Sequence, residues 1–362
     1  MGKIRVVIAD DSSLARGLLR DFLEGEGDME VVGEAMNGRQ AVELARELKP
    51  SIITMDLEMP LMNGLEAIEE IMCSKAVPIL VVSSVADAAN ALDAVSRGAL
   101  EVVSKPDYSP EKAAEFVAKV RLLAGVSVIT RMRPRKAPLL PPLPASPSSL
   151  ESAVTGVSPS PAGISATVYP RVFAIASSTG GPQALAQILP ALPADFPCPV
   201  VIAQHISDGF AGGMAEWLGR LCKLPVRMVA EGELLQAGVI HISPSERHFS
   251  ITPTRRVALL ERGPLDVYRP SCDVLLGAVA EVFGHQAVGI ILTGMGSDGA
   301  KGMARIHERG GMTLGQDESS SVIYGMNRVA IESGAVYRVL GVDEIAAEML
   351  RLANPFVFGS TV

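Results

Sequence analysis

Cysteine motifs, long apolar runs and excess positive charge are all missing from this sequence. Its four cysteines, Cys73, Cys198, Cys222 and Cys272, stand apart, with no CxxC pair and no Cys/His spacing. That argues against a zinc site or a disulfide framework and fits buried thiols in a reducing compartment. The longest apolar runs, around Val77 to Val82 and Val288 to Leu292, are far shorter than the ~20 residues that span a bilayer. No apolar stretch of signal-peptide length follows a basic start at Met1, so a soluble cytoplasmic chain without membrane insertion is expected. The formal net charge of -8 disfavours broad attraction to nucleic acid or anionic lipid. Nor is a basic helix-turn-helix reader visible.

What is present is apolar material for two cores: 362 residues, 48% of them hydrophobic, exceed the usual size of one domain. In the first third, Ile4 to Ala9, Val31 to Ala35, Ile52 to Met55 and Ile79 to Val82 read as strands, while Leu14, Leu18, Leu19 and Phe22 follow helical spacing. This βαβ rhythm predicts a parallel sheet covered by helices on both faces, with functional groups gathered beyond the carboxyl ends of the strands. Between Arg131 and Pro161 the character changes to prolines set among serines, from Pro134 through Pro138, Pro141, Pro142, Pro144, Pro147 and Pro159. Such a segment stays extended and acts as a semi-stiff spacer, so a linker is placed at 123–168 between domains at 1–122 and 169–362. Strand candidates resume at Val172 to Ala176, Val200 to Ala203, Val239 to Ser243, Ala287 to Leu292 and Met312 to Leu314, with a hairpin over Ser250 to Leu260 turning near Thr254-Arg255. A second α/β domain is expected, doubly wound around a mostly parallel sheet with an antiparallel hairpin.

Asp10 and Asp11 end the first strand and Asp56 ends the third, which brings three carboxylates to one sheet edge. Charges that close repel unless a hard cation such as Mg2+ offsets them. Asp56 would then be a phosphoryl acceptor, with Lys105 neutralising the incoming oxygens and Ser83 offering a hydroxyl. The plainer reading is that Asp10 and Asp11 cap the helix beginning near Ser12. The set Asp10-Asp11, Asp56-Leu57-Glu58-Met59-Pro60, Asn63-Gly64, Val81-Val82-Ser83 and Lys105-Pro106 resembles the response-regulator receiver family. That resemblance implies a flavodoxin-like, five-stranded parallel sheet. It also implies Asp56 as phosphorylation site, Asp10, Asp11 and Asp56 as the Mg2+ carboxylates, and Ser83 and Lys105 as phospho-switch contacts. Val102 stands where many receivers carry an aromatic ring, which puts an aromatic relay from Ser83 in question.

In the second domain, Ser177-Ser178-Thr179-Gly180-Gly181-Pro182 follows an apolar strand and precedes a helical pattern. An α/β enzyme keeps a nucleophile at such a turn, where free helix-terminal amides favour developing negative charge. A second strand ends in Gln204-His205 and a third runs into Thr293-Gly294-Met295-Gly296-Ser297-Asp298-Gly299. Ser, His and Asp at three strand ends are what acyl transfer requires, although the Gly-x-Ser-x-Gly elbow of ordinary α/β-hydrolases is absent. Alternatives stand beside this: a phosphate cradle at the glycines, a core His205, a helix-capping Asp298, and His241, His248, His285 or His307 as base. Ala176 to Gly181, Gln204-His205, Arg269-Pro270-Ser271 and Ile291 to Gly299 resemble the catalytic domain of the CheB family of chemotaxis protein-glutamate methylesterases. The resemblance implies Ser178, not Ser177, as nucleophile, His205 as general base, Asp298 as its orienting partner, and the Thr179 and Met295 amides as oxyanion donors. Ser297 stands where that family usually has Asn.

The same resemblance implies a serine carboxylic-ester hydrolase that removes methyl groups from glutamates of methyl-accepting chemotaxis receptors and, secondarily, deamidates receptor glutamines. A CheA-type histidine kinase is the implied phosphodonor, with Mg2+ in the receiver and no cofactor for the esterase step.

Overall fold

The computed structural model describes residues 2–84, 88–128, 169–263, 266 and 268–354. The linker prolines from Pro134 to Pro161 lie outside the described residues. The first unit alternates β1 (Ile4–Ala9), α1 (Ser13–Gly25), β2 (Met29–Ala35), α2 (Gly38–Leu48), β3 (Ile52–Met55), α3 (Gly64–Ser74), β4 (Ile79–Ser83), α4 (Ala88–Arg97), β5 (Glu101–Ser104) and α5 (Pro110–Leu123). Its sheet is ordered β2-β1-β3-β4-β5 with every pairing parallel. That is the flavodoxin-like order, which reverses direction between β1 and β3. Helix α1 buries Leu19 and Leu23 and leaves Leu14 at 73% exposure, so the inward stripe begins one turn later than its first leucine.

The second unit contains β6 (Val172–Ser177), α6 (Gly181–Ile188), β7 (Val200–Gln204), α7 (Phe210–Leu221), β8 (Val226–Met228) and β9 (Ile240–Ile242). It continues with β10 (His248–Ile251), β11 (Val257–Leu260), α8 (Cys272–Phe283), β12 (Ala287–Ile291), α9 (Ala300–Glu308), β13 (Met312–Gln316), α10 (Met326–Glu332), β14 (Arg338–Leu340) and α11 (Val342–Ala353). Seven strands form one parallel sheet in the order β14-β13-β12-β6-β7-β9-β8, while β10 and β11 pair antiparallel. The edge strands β8 and β14, three residues each, fall outside the strands expected from the sequence. At the hairpin turn Arg255 adopts a left-handed φ of 62°.

The two units share an interface. Phe210, Met214, Trp217 and Leu218, at i, i+4, i+7 and i+8, give α7 one apolar face, all buried. Each such side chain contributes on the order of 1.5–3 kcal/mol by leaving water. The same apolar cluster includes Leu92 and Val95 of α4, so receiver and catalytic unit are in contact through these two helices. Arg220 of α7 pairs with Asp93 of α4 at 2.9 Å across the rim.

Candidate active site and phosphoacceptor site

At the carboxyl edge of the smaller sheet, Asp10 follows β1, Asp56 follows β3, Ser83 closes β4 and Lys105 follows β5. Because β1 and β3 are neighbours, carboxylate oxygens of Asp10, Asp11 and Asp56 come within 4.8 Å of one another. The Lys105 Nζ donates to Asp10 Oδ2 at 2.9 Å and to Asp56 Oδ2 at 2.8 Å. Burial pushes the Asp56 carboxyl above its usual range, with Lys105 opposing and the Asp10 charge reinforcing that rise. An all-oxygen, strongly acidic donor set of this kind suits a hard divalent cation such as Mg2+. The helix cap itself is Ser12, whose hydroxyl accepts from the Ala15 amide, while Asp10 Oδ1 accepts from Ser12 N–H.

In the larger sheet, β12, β6 and β7 are adjacent, and their carboxyl ends deliver Asp298, Ser178 and His205 to one place. The chain reverses its direction of sheet growth between β6 and β12, the crevice where open α/β sheets bind ligands. Ser178 N–H donates to Thr293 O at 3.1 Å, which ties the Ser178 turn to the glycine-rich loop. Gly294 makes that approach possible: a Cβ there would lie 2.5 Å from the Ser178 Cβ. Of the adjacent serines, Ser177 is fully buried and donates its hydroxyl to Gln204 Oε1 at 2.6 Å. The Thr179 and Met295 N–H groups donate to no carbonyl among the described residues.

His205 Nε2 lies 2.8 Å from Asp298 Oδ2, and the imidazole stacks on Tyr268 with ring centres 5.1 Å apart. Cys272 Sγ is 3.4 Å from the same nitrogen. Among the described residues, Nδ1 has no hydrogen-bond partner. Asp298 also accepts from Ser271 Oγ at 3.0 Å, Cys272 N–H at 2.6 Å and Asp273 N–H at 3.0 Å. Burial works against its charge, but the His205 hydrogen bond and those amides hold its carboxyl below the usual range. Asp298 does cap a helix, but α8 and not the α9 that follows it. Asp273 of α8 reciprocates, accepting from Gly299 and Gly302 N–H at 2.9 and 2.8 Å at the start of α9.

The other four histidines lie in different settings. His241 is fully buried in β9 and accepts from Gln236 N–H at 3.2 Å. His248 bonds Asp266 at 2.9 Å through Nε2 and accepts from Ser271 N–H at 2.9 Å through Nδ1, so it braces the turn that carries Ser271. His285 precedes β12 and His307 sits near the end of α9, both exposed and away from the strand ends that carry Ser178. No pattern in the sequence singles out Tyr268 or Asp273, and Ser271 is marked only by the Arg269-Pro270-Ser271 motif.

The receiver reaches this edge. Lys119 of α5 donates to Glu101 at 2.6 Å and to Thr179 Oγ1, beside Ser178, at 3.2 Å. Fold and site thus define a receiver unit joined to an α/β unit with a serine, histidine and aspartate at adjacent strand ends.

Residues 6–117 match the response regulator receiver domain and residues 173–349 match the CheB methylesterase domain. A protein-glutamate methylesterase/protein-glutamine glutaminase 3 of Paramagnetospirillum magneticum is 55% identical over 98% of both chains. A protein of that name numbered 4 from Myxococcus xanthus is 38% identical over 96% of both. The crystal structure of the Thermotoga maritima CheB methylesterase catalytic domain shares 33% identity, covering 51% of this chain and all of its own, with a TM-score of 0.49. The chain belongs to the CheB methylesterase family, with a response-regulator receiver at its amino-terminal side. Among the described residues, no helix is long and apolar enough to cross a membrane.

Proposed function

We propose that this chain is a phosphorylation-controlled protein-glutamate methylesterase, with glutamine deamidation as a secondary activity, and that Ser178, His205 and Asp298 perform the hydrolysis. Its substrate is a methyl-esterified glutamate of a methyl-accepting chemotaxis receptor, and its phosphodonor a CheA-type histidine kinase. The carrying observation is the Ser, His and Asp set on adjacent strand ends in a chain 55% identical, end to end, to a named methylesterase.

Asp298 orients the imidazole through Nε2–H, so the Nδ1 lone pair accepts the Ser178 proton as the hydroxyl attacks the ester carbonyl. The Thr179 and Met295 amides stabilise the oxyanion, each worth roughly a hundredfold to a thousandfold in rate. His205 then gives that proton to the leaving methoxide oxygen, which departs as methanol, and activates the water that releases free glutamate from the acyl-enzyme. Amide nitrogen leaves less readily than methoxide, which ranks deamidation second.

In the receiver, Asp10, Asp11 and Asp56 would hold Mg2+, which neutralises charge on an incoming phosphoryl group. Asp56 is the acceptor carboxylate, and Lys105 and Ser83 contact the transferred group. The unphosphorylated receiver restrains the Ser178 edge through α4, α5 and Lys119. Phosphorylation favours a state in which those contacts are released.

The test is methanol release from methylated receptor membranes, with and without a small-molecule phosphodonor and Mg2+. Ser178→Ala is expected to abolish turnover and Ser177→Ala to retain it; full activity in Ser178→Ala would overturn the assignment.

A further inference from the structure

Three hydrogen bonds converge on a buried carboxamide between nucleophile and base. Gln204 closes β7, is 3% exposed, and donates from Nε2 to Ser178 O at 2.7 Å and to His205 O at 2.8 Å. Two carbonyl oxygens accept only from a donor, so the amide nitrogen must face them and Oε1 must face Ser177. Oε1 then accepts the Ser177 hydroxyl at 2.6 Å, completing the side chain's bonding. The backbone repeats the link, because His205 N–H donates to Ser177 O at 3.0 Å.

Space for this side chain is made by the glycine turn. A Cβ on Gly181 would lie 1.9 Å from Gln204 Oε1 and 2.9 Å from its Cδ. Gly181 is therefore required where it stands because the carboxamide occupies the volume a side chain would take. The turn and the strand end behind His205 are built around one another.

We infer that Gln204 is a positioning residue for hydrolysis: it clamps the backbones of Ser178 and His205 together and so sets the geometry of proton transfer between their side chains. This rests on the assignment of those two residues as nucleophile and base. Losing the amide donor leaves the part-buried His205 carbonyl without its partner and Ser178 O with only the Gly181 N–H at 2.8 Å, so the link between the two segments is lost and they can drift; a shift of about 1 Å in a reacting group costs on the order of a hundredfold in rate. Gln204 touches no reacting atom, so its loss should fall on kcat, leaving KM for the receptor alone.

The experiment uses the full chain activated with phosphodonor and Mg2+. Gln204→Met keeps the volume without the hydrogen bonds, and Gln204→Glu keeps the acceptor for Ser177 while turning an oxygen toward the two carbonyls. For both, kcat is expected to fall about 10- to 100-fold at unchanged KM, and the reaction of Ser178 with a fluorophosphonate probe, followed by intact mass, is expected to slow by a similar factor. Ser177→Ala, which spares both donors, should lose less than either. A kcat and a labelling rate within twofold of the parent, in whichever Gln204 variant folds, would make the residue structural only and sink the inference. Ser178→Ala run alongside separates the two ideas: turnover or probe labelling surviving in that variant defeats the nucleophile assignment itself, whatever Gln204 does.

Discussion

Lys119 of the receiver and Thr179 of the catalytic unit are joined by a hydrogen bond of 3.2 Å from Nζ to Oγ1. Thr179 directly follows Ser178, so a side chain of the receiver touches the turn that carries Ser178. The ammonium is held there by its 2.6 Å pair with Glu101.

Removing that contact should loosen the restraint. A part-buried hydrogen bond is worth about 0.5–1.5 kcal/mol, so Lys119→Met should raise unphosphorylated esterase activity about two- to tenfold. The activation ratio on phosphorylation should shrink correspondingly. Methanol release without phosphodonor checks this, and an unchanged basal rate would show that the contact restrains nothing.

Asp298→Asn should cost about four orders of magnitude in kcat, because an amide that presents its NH2 group to His205 stabilises the wrong tautomer and no imidazolium. The variant also weakens the α8 cap, so circular dichroism should accompany the kinetics. A loss under tenfold would mean that Asp298 serves the helix and not the base.

Asp56→Asn should leave basal methanol release intact and abolish its stimulation by phosphodonor. Chelating Mg2+ should have the same effect on the parent chain. Stimulation that persisted in Asp56→Asn would move the phosphoacceptor elsewhere.

Acid should destabilise the catalytic unit through His241. Burial, helped by Arg227 and only partly opposed by Glu233, lowers its pKa to about 4. The folded state therefore binds fewer protons than the unfolded one between the ordinary value of 6.5 and about 4, and stability falls as pH drops through that window. A shift of this size corresponds to roughly 3 kcal/mol when complete. Urea unfolding at pH 7.5 and 5 should show a smaller acid loss in His241→Gln than in the parent; equal losses would acquit the histidine.

Much of the architecture is legible in the chain because strands buried on both faces read as short β-branched runs. Ile4 to Ala9 and Ile52 to Met55 are found at those bounds, and β6, β7 and β13 extend one or two residues beyond the expected ends. Their carboxyl-end residues, Asp10, Asp56, Ser178 and His205, stand where a parallel sheet collects function. The short edges β8 and β14 escape, whereas the equally short β9 is legible within the run Val239 to Ile242, and Leu14 misleads because helical spacing does not say where the buried stripe starts.

By itself the sequence determined the local elements, the linker's composition and the residue types at each strand end, since those depend on near neighbours in the chain. Only tertiary structure decided which members of each set meet. Strand order brings His205 to Asp298 and leaves His285 and His307 away from that edge. Gln204 of the neighbouring strand consumes the hydroxyl of Ser177, the last residue of β6, while that of Ser178, just past the strand, stays uncommitted to Gln204. The clasp of Asp273 and Asp298 across α8 and α9, and the reach of Lys119 to Thr179, join residues far apart in the chain. Such contacts exist only once both partners are folded, which is why no pattern along the chain announces them.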